Sequence, residues 1–552
     1  MLASSFNSLI TGFTESIGGD VLAFLPELIL CGTVVTLLLG RLFSLDRKIP
    51  SHWIALTGTL VAFAFAFSNL YALGADAYKD GEAARIFSGL LLNDGLTCFL
   101  RLFLLVFLVL VISLSVLSGI PDNEDGPDFY TLLIGATIGM ILMSSANHLL
   151  MLFMAVEMAS VPSYVMVGFL KGRRPSSEAA LKYVVYGAGA AGVMLYGTSL
   201  VAGMLGTGDL QQITAALGTL FADESVGTDM SDAAIRTIVL GVMMILVGLA
   251  FKLSLVPFHF WCPDAFEGAP AEVGGFLSVA SKAAAFALLI RVAQQLTGLG
   301  DLAIPLAIGL GVMAVVSSTF GNLAAYFQTN IKRMLAYSTI AHAGYMLMGV
   351  AAMLVALKKG ETALAADCVE GVLFYLVVYL FMNLGAFGIV ALIRNQVYSE
   401  EIEDFRGLAS QCPWLCVALA VCLFSLVGLP PLGGFVGKFI LLAPIWQAAD
   451  MGLHWTMGAL VAFALLNTVF SLFYYIRVPI AMFIAERPEG AREAATDSTE
   501  RVFVSLLTVP ILLLGMTPMI GKLSQAAETV ATDSIIQPDD QHSSSTKSHP
   551  SE

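Results

Sequence analysis

Fourteen apolar runs, each close to twenty residues long, leave this 552-residue chain little choice of solvent. They begin near residues 21, 52, 97, 128, 147, 178, 235, 272, 302, 333, 367, 412, 457 and 501. A hydrocarbon core of roughly 30 Å takes about 20 residues of helix to cross. Within it every backbone N–H and C=O must find a partner inside the protein, so helix is the expected state of each run. Composition agrees: 57% of residues are hydrophobic and 12% charged, against roughly 25% charged in a soluble domain. The expected fold class is an all-α integral membrane protein of about 14 transmembrane helices.

A net charge of −14 argues against nucleic acid as a partner, because phosphate neutralisation needs clustered Lys and Arg. Acid gathers in two loops, at Asp122, Glu124, Asp125 and Asp128 and at Asp223, Glu224, Asp229 and Asp232. These read as solvated loops rather than metal ligands. The seven cysteines form no CxxC pair, and Cys412, Cys416 and Cys422 read as small apolar side chains in a lipid-embedded helix. No site for a metal is expected. Lys and Arg concentrate in alternate loops, at Arg47 and Lys48, Lys171 to Arg174, Lys332 and Arg333, Arg394 and Arg406, and Arg487, Arg492 and Arg501. The opposite loops hold Lys79, Arg85, Lys358 and Lys359. The bias places both termini outside. The polar end of the chain reads as a disordered tail.

Two runs carry helix breakers. One is GLAFKLSLVPFHFWCPDAFEGAP (248–270), with Pro257 and Pro263; the other is SLVGLPPLGGFVGKFILL (425–442), with Pro430, Pro431, Gly433 and Gly434. Proline removes a helical donor, and opened backbone survives in a membrane only where protein or a wet cavity surrounds it. Paired discontinuous helices suggest two related halves and point to an ion path.

Charge inside an apolar span is the second signal, since each central charge costs about 2.5–3.5 kcal/mol on insertion scales. Glu157, Lys182, Lys252, Lys282 and Lys438 fall inside spans, and His259 and His342 lie near breaks or ends. The plainer readings are lysines snorkelling to the interface, a carboxylate that pins helix packing, and satisfied core histidines. The functional reading is a proton relay. A lysine with a reference pKa near 10.4 serves at neutral pH only if its surroundings retune it, and a carboxylate that opens and closes against it supplies such a change.

These residues sit in strings that resemble a known family. MAVEMASVPSYVMVGF (154–169), SSEAALKYVVYGA (176–188), PFHFW and EGAP within 248–270, KRMLAYSTIAHAGY (332–345) and SLVGLPPLGGFVGKF (425–439) are similar to the antiporter-like membrane subunits of proton-translocating NADH–quinone oxidoreductase, of the subunit N type. The resemblance spans roughly residues 21–525. It implies proton relay by Glu157, Lys252, Lys282 and Lys438, with Lys182 and His259 as auxiliary positions; His342 joins the candidate relay from its place in the sequence. It also implies two inverted five-helix repeats, each with one broken helix. The corresponding division is 1–127, 128–300 (first repeat), 301–490 (second repeat), 491–530 (a last helix) and 531–552 (tail). Ser281 stands where the family often has proline. FMN, iron–sulfur clusters and quinone are expected in other subunits, with no cofactor in this chain. The expected partners are those subunits, the lipid bilayer and protons. A cation/proton antiporter subunit is the alternative, and a bacterial inner membrane the expected location.

Overall fold

The computed structural model describes residues 17–75, 84–121, 125–222, 232–488 and 495–535. The readings of Lys79, Asp122, Glu124, Asp223, Glu224, Asp229 and Arg492, and of the tail beyond residue 535, lie outside these.

Helices dominate. In chain order they are α1 (Leu25–Leu42), α2 (Ser51–Ala75), α3 (Gly95–Ser118), α4 (Gly126–Ser145), α5 (Leu149–Val167), α6 (Arg174–Leu205), α7 (Leu210–Ala222), α8 (Ala233–Leu253), α9 (Trp261–Gly268), α10 (Ala271–Gln295), α11 (Ala303–Ala325), α12 (Ile331–Lys358), α13 (Thr362–Val397), α14 (Pro413–Val427), α15 (Gly433–Asp450), α16 (Thr456–Phe483), α17 (Ser498–Leu513) and α18 (Thr517–Ile535). Local chemistry sets the starts. Asp94 caps α3 through the Thr97 amide, Asn330 caps α12, and Asp497 with Glu500 forms a capping box on α17. A two-stranded hairpin, β1 (Ala84–Ile86) with β2 (Leu91–Asn93), precedes α3.

Among the described residues, eleven stretches are long and apolar enough to cross a membrane, and one of them, Ala271–Ala325, holds both α10 and α11. The divided pair α14/α15 and the 16-residue α17 bring the crossings to fourteen, with α8/α9 taken as one. Every start lies within a few residues of its sequence reading. Two helices were not foreseen. α7 is a short helix on the α6–α8 connection, and the stretch read as one last helix is two, α17 and α18, parted at Gly515. A Cβ at Gly515 would fall 1.7 Å from the Pro431 carbonyl oxygen, so the chain turns where only glycine fits.

α12 and α13 form the centre and are almost wholly buried, whereas α6 turns most of its surface outward. α13 packs against α3, α10, α12, α14, α15, α17 and α18. α10 reaches from the first half to α12 and α13 in the second. Leu181, Val185, Val312 and Val316 face outward, as lipid-facing side chains should. Two buried ion pairs tie the first helices in: Arg101 to Glu27 at 2.7 Å, and Arg291 to both carboxylate oxygens of Asp94 at 2.6 and 2.8 Å. Burial opposes the charged form of Asp94, but Arg291 and Thr97 outweigh it and hold its carboxyl below the usual range.

Candidate functional site

The two breaks have a common logic. In an α-helix the carbonyl of residue i accepts from the amide of residue i+4. Four residues after Leu253 stands Pro257, and four after Val427 stands Pro431; neither has an amide hydrogen. Each carbonyl is therefore orphaned by the sequence itself. A buried lysine meets each one: Lys282 Nζ donates to Leu253 O at 2.5 Å, and Lys438 Nζ to Val427 O at 2.9 Å. Around the second break the backbone crowds so closely that a Cβ at Gly434 would lie 1.8 Å from Ser425 O. Lys438 also lies 4.7 Å above the ring of Tyr345, a cation–π contact.

Lys252, one residue before the first orphaned carbonyl, is also buried, and its Nζ donates to Ser160 Oγ of α5 at 3.0 Å. Ser160 sits one helical turn beyond Glu157. Glu157 is half-buried, and its charge and that of Lys252 act on each other. The first half thus holds Glu157, Lys252 and Lys282 on three neighbouring spans.

Uncharged polar groups fill the space between the halves. Ser278, one turn before Lys282 on α10, accepts from Asn383 Nδ2 at 2.6 Å. Asn383 also donates to Tyr379 OH at 2.9 Å, and Tyr379 OH to Thr339 Oγ1 at 3.2 Å. One turn on from Thr339, His342 places Nδ1 2.6 Å from Tyr375 OH and Nε2 3.3 Å from Tyr475 OH. His342 is buried within electrostatic reach of both Lys282 and Lys438. Hydroxyls and imidazoles both donate and accept, which a proton relay requires. A second mesh, Asn322 with Tyr345, Tyr474 and Asn467, lies beyond Lys438.

The other two sequence candidates stand apart. Lys182 is 41% exposed and pairs with Asp264 at 2.8 Å and Glu178 at 2.9 Å. Arg333 binds the other oxygen of Asp264 at 2.8 Å. With Glu267 these charges line a cavity of about 150 Å³. His259 is buried in the first break, its ring against Phe260 and Phe320. Lys332, read as a loop charge, is instead buried at the start of α12 and paired with Glu400 at 2.9 Å. Its neighbour Arg333 is only partly buried and pairs with Asp264 and Glu267, and the sequence gives the two the same appearance. Ser160, Asn383, Tyr375, Tyr379 and Tyr475 were not singled out, because hydroxyl and amide side chains raise no alarm in an apolar run. Asp125 and Asp128, read as solvated, pair with Lys171 and Arg41. The hydrogen bond from Lys171 to Asp125 raises the pKa of that exposed lysine. Among the described residues, no three His, Cys, Asp or Glu side chains gather as a metal cluster.

Among the described residues, fourteen crossings, two broken helices and a buried lysine at each break define a membrane subunit of antiporter-like build. Residues 146–470 match the sequence family described as NADH:quinone oxidoreductase/Mrp antiporter, TM. The chain is 39% identical over 518 residues to NADH-quinone oxidoreductase subunit N of Anaeromyxobacter sp. (strain Fw109-5), covering 91% of this chain and 95% of the relative. It is 34% identical over 519 residues to the subunit N of Chlorobium chlorochromatii (strain CaD3), covering 93% of each. A chain of respiratory complex I from Thermus thermophilus superposes with a TM-score of 0.68 at 30% identity, over 90% of this chain and 98% of that one. A chain of the Mrp complex from Dietzia sp. DQ12-45-1b, at 17% identity and a TM-score of 0.74, shares the fold over 94% of this chain and 98% of its own length. The chain belongs to the NADH-quinone oxidoreductase subunit N family and is a multi-pass protein of the bacterial inner membrane.

Proposed function

We propose that this membrane-arm subunit of NADH–quinone oxidoreductase moves protons along the axis Glu157, Lys252, Lys282, His342 and Lys438. The observation that carries this reading is the pair of orphaned carbonyls, each met by a buried lysine, with polar side chains strung between them. A lysine held by a carbonyl is poised, because loss of its proton weakens the grip and frees the amine to swing. Parting or closing Glu157 and Lys252 changes how tightly Lys252 holds its proton. Each unit of pKa is worth about 1.4 kcal/mol, a scale that a charge moving a few ångströms in a dry site supplies.

Lys282 passes the proton towards His342 by way of the hydroxyls of Ser278, Tyr379 and Thr339, with Asn383 donating to Ser278 and Tyr379 and holding them in line, and Lys438 receives it. Lys182 and His259 serve as auxiliary positions at the edge of the axis. FMN, iron–sulfur clusters and quinone belong to other subunits of the complex, which are this chain's partners and supply the redox drive. The test is Lys282→Ala in the purified complex reconstituted in vesicles. NADH-driven proton uptake should fall below about a tenth of the parent's, the loss of roughly 1.4 kcal/mol or more per tenfold. Uptake at the parental rate would sink the assignment.

A further inference from the structure

A second cluster of buried charge lies apart from this axis. Glu272, in the first turn of α10, is completely buried, and neither of its carboxylate oxygens has a hydrogen-bond partner. Lys332, at the start of α12, lies within its electrostatic reach. Nζ of Lys332 donates to Ala269 O at 2.6 Å and to Glu400 Oε2 at 2.9 Å. The other oxygen of Glu400 is buried without a partner, and Arg394 near the end of α13 adds its charge. Glu272, Lys332, Glu400 and Arg394 are thus the charged groups that face one another here, from α10, α12, α13 and the loop after it.

An unpartnered buried carboxylate is costly unless it holds a proton or a cation. Lys332 has three donors and spends two on Ala269 and Glu400. The cluster therefore holds two carboxylates against one buried lysine, with oxygens left over to bind a proton. Its place in the fold is equally telling. It sits where α10 of the first half meets α12 of the second, at the end of the bundle whose loops carry the Lys and Arg excess. By the positive-inside rule that end is cytoplasmic. Glu272 is ten residues, about 15 Å, below Lys282 on α10.

We infer that Glu272, Lys332 and Glu400 form a proton-loading site on the cytoplasmic side, which takes up protons from water and delivers them towards Lys282. The inference rests on the axis proposed above. A proton taken from the cytoplasm binds a carboxylate oxygen of Glu272 or Glu400, crosses the roughly 15 Å along α10 from Glu272 to Lys282 on internal water and reloads Lys282, and the hydroxyls from Ser278 to Thr339 remain the way onward. Its effect should be largest when protons are scarce.

The experiment measures protons taken up per NADH oxidised by the whole complex in vesicles, against pH on the cytoplasmic face. Glu272→Gln preserves shape and removes the charge. It should leave uptake near parental at low pH and cut it about tenfold at high pH, with Glu272→Asp restoring most of it and Glu400→Gln reproducing the loss. If Glu272→Gln and Glu400→Gln match the parent at every pH while Lys282→Ala does not, the loading site is refuted and the axis stands. If Lys282→Ala also matches the parent, the axis itself has failed. An equal loss at every pH that tracks complex content and is not restored by Glu272→Asp would make the cluster a structural latch and overturn the inference.

Discussion

The two breaks solve one problem in different ways. Both expose a carbonyl because proline stands four residues on, and both recruit a lysine. At the first break the lysine comes from another helix, since Lys282 on α10 caps the end of α8. At the second it comes from the same span, since Lys438 on α15 caps the end of α14. The first half also carries a carboxylate, Glu157, while the surroundings of Lys438 are tyrosines, His342 and Thr468. One break therefore joins two helices and answers to a nearby charge. The other is closed on itself and is reached through neutral hydrogen bonds.

Removing the two lysines tests this contrast most severely. Lys282→Met and Lys438→Met should each reduce proton uptake at least tenfold. Each leaves a buried carbonyl unpaired, at about 1–3 kcal/mol. Only Lys282→Met also unties α8 from α10, so its thermal unfolding midpoint in detergent should fall further than that of Lys438→Met. Equal falls would mean that the difference between the caps is one of appearance alone.

Next in size is Glu157→Gln, which keeps shape and removes the charge that Lys252 feels. Uptake should fall several-fold, and Glu157→Asp should recover part of it. Because the second half has no such carboxylate in this array, the loss should come without any change in the stability of α14 and α15, as followed by hydrogen exchange. Smaller again is the bridge between the halves. Asn383→Leu removes the donors that hold Ser278 and Tyr379 in line and should slow uptake by about threefold to tenfold, less than the roughly 10²–10⁴-fold that a group transferring the proton itself contributes. Tyr475→Phe, which leaves His342 its contact with Tyr375, should cost less than Asn383→Leu.

What the sequence revealed follows from cost. Spans were legible because about twenty apolar residues in a row have few alternatives, and the breaks because proline leaves a mark. Glu157, Lys252, Lys282 and Lys438 stood out because charge in lipid is expensive. Tyr375, Tyr379, Asn383 and Ser160 did not, since neutral polar side chains are tolerated in membrane helices and only contact distances reveal the chain they form. Lys332 and Glu272 were hidden by position. Each lies at a helix start, where a charge looks like a loop residue until the fold buries it. Arg101 with Glu27, and Arg291 with Asp94, are long-range pairs that no local pattern connects. α18 was hidden because its sequence is polar enough to read as the start of the polar tail.

The smallest effect should belong to Lys182, the sequence candidate that the fold sets apart. Its ammonium bridges Asp264 and Glu178, but the side chain is 41% exposed. Exposed ion pairs are worth about 0–1 kcal/mol because water screens them and ordering long side chains costs entropy. Asp264 keeps a second partner in Arg333, so losing Lys182 leaves that carboxylate paired. Lys182→Ala should therefore change proton uptake by less than about threefold, corresponding to under 1 kcal/mol, and the loss should shrink further in high salt. Uptake measured in vesicles at two ionic strengths decides the matter. A tenfold, salt-independent loss would move Lys182 from the edge of the axis into it, and would make the cavity it shares with Asp264, Glu267 and Arg333 part of the proton route.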